Sequence, residues 1–109
     1  MCIGMEIGIE IEDKTGQLEF EIFEDLYVDQ REIEIKDAII ARYISTIDGT
    51  IEFVVVLPEN FGMSVVKDVS SWLCNKLERK DIVSLRIENE VINLKLEDIE
   101  KRIESVIKA

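Results

Sequence analysis

Residues 5–35, MEIGIEIEDKTGQLEFEIFEDLYVDQREIEI, decide how this chain is read, because isoleucine and glutamate alternate through them almost without a break. Successive side chains of a strand point to opposite faces. Met5, Ile7, Ile9 and Ile11 therefore fall on one side, with Glu6, Glu10 and Glu12 on the other. The split recurs where Leu18, Phe20 and Ile22 oppose Glu19 and Glu21, and again where Ile33 and Ile35 oppose Glu32 and Glu34. Three strands with this pattern would pair into a sheet that is apolar on one face and carpeted with carboxylates on the other.

The acidity is local. The chain of 109 residues has a formal net charge of −11. Eleven acids and only two bases, Lys14 and Arg31, lie in residues 1–35, so −9 of that charge belongs to the ladder. A field of this sign repels nucleic acid and anionic membrane and attracts basic proteins and cations. Direct nucleic-acid binding is thus disfavoured.

Working outward, residues 3–11 form the first expected strand, with a short hairpin loop at 13–17 where Gly16 can take a positive φ. Residues 18–28 form the second, its period blurring at Phe23-Glu24 as at a bulge. A third covers 31–35. Residues 37–47, DAIIARYISTI, fit two patterns. Ile39, Ile40, Tyr43, Ile44 and Ile47 recur at helical spacing, but Asp48-Gly49 is a hairpin dipeptide and strongly β-prone IEFVVVL follows it. Strand is the favoured reading, with Ile47 facing Thr50, Ile44 facing Phe53 and Tyr43 facing Val54. Val54-Val55-Val56-Leu57 is apolar on both faces, as in a central or doubly covered strand. Pro58 ends it.

A helix follows, with Ser64 as expected N-cap and Val65, Val66, Val69, Trp72, Leu73 and Leu77 at helical spacing. Lys76, Arg79 and Lys80 suit the negative end of its dipole. A second hairpin pairs 82–87 with 91–96. The last helix buries Ile99, Ile103, Val106 and Ile107, with Glu97, Asp98 and Glu100 in its first turn. The order β-β-β-β-β-α-β-β-α predicts one α+β domain over 1–109: a mostly antiparallel sheet of five to seven strands with two amphipathic helices on one face. At this length roughly two thirds of the unfolded surface is buried, enough for a core without staples.

The residues for most site chemistry are missing. With no histidine, Ser-His and Cys-His nucleophile systems and imidazole metal ligands are excluded. The five glycines form no phosphate loop. Gly4 and Gly8 lie on the glutamate side of the first strand, where a bulge or simple spacing explains them better than a close-approaching partner. Cys2 and Cys74 match no zinc or redox spacing, and reduced thiols of a cytoplasm are simpler than one disulfide. Cys74, beside the apolar stripe, reads as structural rather than reactive. Asp25, Asp29 and Glu32 lack the spacing of a calcium loop, and a flat strand face offers no pocket to raise one carboxyl of an acid–base pair. No catalytic residue, metal ligand or cofactor is therefore assigned. No N-terminal apolar run resembles a signal peptide, and no stretch is long enough to span a membrane.

The carpet is the one surface the sequence advertises. Carboxylates on a sheet face keep a protein soluble. Like charges opposite one another, however, destabilise a sheet by some tenths of a kcal/mol per pair, a cost that Lys or Thr would avoid. The leading expectation is a non-enzymatic protein-binding module: Glu6, Glu10, Glu12, Glu19, Glu21, Glu32 and Glu34 engage a basic protein surface, as an inhibitor, antitoxin or immunity-like polyanion mimic would. The competing expectations are a structural subunit, including a homo-oligomer, with merely solvating acids, and a small cation-binding domain.

Overall fold

A computed structural model describes residues 3–15, 18–23, 31–78 and 81–109. The order is β1 (Ile3–Asp13), α1 (Leu18–Ile22), β2 (Glu32–Lys36), β3 (Ile39–Ile47), β4 (Thr50–Pro58), α2 (Ser64–Leu77), β5 (Ile82–Ile87), β6 (Glu90–Val91) and α3 (Leu96–Lys108). The strands form a six-stranded antiparallel sheet in the order β2-β3-β4-β1-β5-β6. The α+β class, the antiparallel sheet and the helices on one face agree with the sequence reading.

The apolar side of the alternation makes the core. Ile7, Ile9 and Ile11 of β1 stand in register with Val55, Phe53 and Ile51 of β4, and all six are buried. Val65, Val69, Leu73 and Leu77 of α2 and Ile99, Ile103 and Val106 of α3 close over them in one cluster. β4, expected at the centre, lies between β3 and β1.

The largest departure lies in residues 18–28. Leu18, Ile22 and Phe23 share the buried side of a short helix, and Phe20 is exposed. Over five residues a helical i, i+4 stripe and a strand alternation both fit Leu18 and Ile22; Phe23, which looked like a slip at a bulge, follows the helical spacing. The Asp13 carboxylate takes the place of the expected hairpin by accepting the Leu18 N–H at 2.9 Å and the Thr15 hydroxyl at 3.0 Å. Gly16 and residues 24–30 lie outside the described residues.

Smaller corrections follow. Ile47 faces Thr50 as expected, but Tyr43 rather than Ile44 faces Phe53, because a bulge sets Ile44 and Ser45 together opposite Glu52. Asp48 and Gly49 take φ of 51° and 81°, as the hairpin dipeptide requires. Met63, not Ser64, is the N-cap of α2, and it makes no side-chain capping bond. β6 has two residues instead of six, since the tight Glu88-Asn89 turn leads almost at once towards α3. At Gly4, β1 shifts register against β4, and a Cβ there would lie 2.2 Å from the Pro58 carbonyl oxygen, so glycine permits this approach. Cys2, Arg79 and Lys80 lie outside the described residues.

Candidate functional site

None of the helices α1, α2 and α3 covers the second face of the sheet. Alternation carries Glu6, Gly8, Glu10 and Glu12 of β1 onto this face, beside Val56, Val54, Glu52 and Thr50 of β4. Beyond β4 come Ile40 and Arg42 of β3, then Glu34 and Glu32 of β2. On the other flank Arg86 and Ser84 of β5 face Glu10 and Glu12. Glu10, Glu12, Thr50, Ser84 and Arg86 line a shallow depression of about 220 Å³.

The five expected carboxylates that reach this face separate into three groups. Glu6 and Glu32 share one cation: Arg42 donates from Nε to Glu32 at 2.6 Å, and its Nη1 lies 3.7 Å from Glu6. Arg42 thus reaches across β4 and ties the two flanks of the face together. Glu34 accepts the Ala38 N–H of the turn between β2 and β3 at 3.2 Å. Glu10 and Glu12 form no hydrogen bond or ion pair among the described residues, and Glu52 joins them without one. Glu10 and Glu52 stand directly opposite each other, where Cβ atoms are about 5 Å apart.

Glu19 and Glu21 do not belong to this face, because α1 lies on the helical side. Glu21 is exposed there. Arg31 donates from Nη1 to Glu19 at 2.7 Å, and its guanidinium sits 3.6 Å from the centroid of the Tyr43 ring. Both charged side chains are largely buried, 15% and 16% exposed. Burial works against the Glu19 charge, but hydrogen bonds from Thr46, Arg31 and Tyr43 together with the Arg31 charge overcome it and hold the carboxyl below its ordinary value. Glu19 anchors α1. Phe23 continues that anchor into an edge-to-face aromatic chain with Tyr43 and Phe53, and Phe53 packs likewise on Trp72.

Two features escaped the sequence reading. Glu52 lies outside residues 5–35, although its alternation with Ile51 and Phe53 would have placed it on the acidic side. The face is also apolar in part: Ile44, Ile47 and Val91 are 48%, 67% and 61% exposed. Ile47 faces Thr50 and Val91 faces Arg86, both on the open side. A solvated face has no need of them.

Elsewhere, Cys74 is a half-buried free thiol on the rim of a cleft of about 300 Å³ that Leu77, Leu94 and Ile99 also line. Among the described residues no group of three or more Cys, Asp or Glu side chains is placed to hold a metal ion. Among them, too, no helix is long and apolar enough to cross a membrane.

These elements define a sheet with helices on one face and an acidic, partly apolar opposite face. Comparison with protein-family models, with curated proteins and with solved structures finds no match.

Proposed function

We propose that the chain is a non-enzymatic protein-binding module whose open sheet face engages a basic protein surface. The observation that carries this reading is the cluster of Glu10, Glu12 and Glu52, in which Glu10 and Glu52 are directly opposed and Arg86, which faces Glu10 from β5, closes no ion pair with them among the described residues. Opposed like charges cost stability in the free chain, and a basic partner turns the same field into faster and more selective docking. Glu6, Glu32 and Glu34 extend the field along the face. Glu19 and Glu21, packed with α1 on the other side, have no part in it. An inhibitor, antitoxin or immunity-like polyanion mimic is the kind of protein that works this way, and the half-buried free thiol of Cys74 suits a cytoplasmic setting.

The test is capture of partners from the native host at low and high salt, by the wild-type chain and by a Glu10→Lys, Glu12→Lys, Glu52→Lys variant. Basic proteins that bind the wild type, leave it as salt rises and ignore the variant support the reading. Equal capture by the folded variant refutes it.

A structural or oligomerising subunit is the second reading, favoured by the exposed Ile44, Ile47, Val83 and Val91. A stable oligomer in sedimentation, unchanged between low and high salt, would select it over the first.

A further inference from the structure

The turn between β5 and β6 is held by other elements rather than by its own packing. Glu88, Asn89, Glu90 and Val91 are all exposed, so this arm buries little apolar surface, the main stabiliser of a fold. β6 meets β5 through the pairs Arg86–Val91 and Ile87–Glu90, and so short a ladder is marginal alone. Glu88 and Asn89 take φ of 50° and 68°, a left-handed conformation that a Cβ disfavours. A groove of about 380 Å³, lined by Val91 and Ile92 on one side and Lys101 and Ser105 on the other, lies between the arm and α3.

Two charged side chains offset these weaknesses. Arg102 of α3 donates from Nε to the Ile87 carbonyl at 3.0 Å and from Nη2 to the Glu88 carbonyl at 3.1 Å, and its Nη1 lies 3.7 Å from the Glu90 carboxylate. Glu88 reaches back to β1: its N–H donates to the Gly8 carbonyl at 2.9 Å, and its carboxylate accepts the Gly8 N–H. Because the Glu88 carbonyl is turned to Arg102, its carboxylate fills the place a strand carbonyl would take. A Cβ on residue 8 would lie 3.0 Å from that carboxylate, so glycine leaves room for it.

We propose that residues 88–91 are a latch that opens as one unit, released when Arg102 and Glu88 let go while the rest of the sheet stays closed. Segments with few buried contacts open locally at far lower cost than global unfolding. Shut, the latch covers the outer edge of β5 at Arg86 and Ile87. Open, it leaves their backbone groups unpaired, the state in which a sheet edge accepts another strand.

The test is amide hydrogen exchange of the full chain, followed residue by residue by NMR. The amides of Gly8, Glu88 and Ile92 donate to the Glu88 carboxylate, the Gly8 carbonyl and the Leu85 carbonyl. They are expected to share one protection factor, at least about a hundredfold below those of the β4 amides. Arg102→Met, which keeps the apolar stem and removes the fork, and Glu88→Ala are each expected to speed exchange of all three about tenfold or more. Val69→Ala, which leaves a cavity beneath α2, is expected to speed exchange in β4 and leave these three unchanged, because the open latch retains that packing. Protection of the three equal to that of β4, or acceleration of them by Val69→Ala, would mean opening only through global unfolding and would overturn the latch. Acceleration confined to one of the three amides in the Arg102 and Glu88 variants, or absent from them, would overturn it too.

Discussion

Glu10 on β1 and Glu52 on β4 face each other directly across the open side of the sheet, while Arg86 stands on the far side of Glu10 without closing an ion pair among the described residues. The pair is a local defect in the stability of the free chain. Glu52→Lys would turn repulsion into attraction and is expected to stabilise the fold by about 0.5 kcal/mol. Urea unfolding would show the gain at low salt and its shrinkage near 1 M NaCl, where screening acts within about 3 Å. The same substitution is expected to weaken binding to a basic partner.

The Glu19–Arg31 pair predicts a pH dependence. The folded-state pKa of Glu19 lies below its ordinary value, so its stabilisation is complete above the ordinary carboxylate range and is lost as pH falls through the folded value. Glu19→Gln should therefore cost stability at neutral pH and give a shallower loss between about pH 5 and pH 3. Parallel pH–Tm curves for the two proteins would refute this.

Ser70 is fully buried in α2, and its hydroxyl has no hydrogen-bond partner among the described residues. Desolvating an unpaired hydroxyl costs about 1–3 kcal/mol. Ser70→Ala is expected to raise stability by about 1 kcal/mol, measured by urea unfolding. An unchanged or lower midpoint would count against the unpaired hydroxyl.

Ala38 has φ of 69° in the turn between β2 and β3. A Cβ in that left-handed region costs about 1 kcal/mol, which glycine avoids. Ala38→Gly should recover part of this, offset by the entropy glycine adds to the unfolded chain, and appear as a rise in Tm. Gly4→Ala should do the reverse strongly, since the added Cβ meets the Pro58 backbone. A Tm for Gly4→Ala equal to the wild type would show that β1 can shift there at no cost.

Period-two alternation needs no tertiary knowledge. It placed Ile7, Ile9 and Ile11 in the core and Glu6, Glu10 and Glu12 opposite them, because a strand's geometry assigns alternate residues to alternate faces. The Asp48-Gly49 turn and the stripes of α2 and α3 were equally legible, since φ preference and helical period are local properties.

What the letters left open depended on contacts distant in sequence. Residues 18–23 had a pattern that strand and helix both satisfy, and the fit of Phe23 against Tyr43 and Phe53, with Arg31 closing on Glu19, decided for helix. That choice removed Glu19 and Glu21 from the acidic face. Pairing of β1 with β4 brought Glu52, forty-two residues on in the chain, opposite Glu10. Strand order alone set Ile40, Arg42, Val54 and Glu52 side by side on one face with the carboxylates of β1 and β2. Alternation determines which side of a strand a residue takes, but only the packed sheet decides which strands are neighbours, and so which charges and apolar groups share a surface.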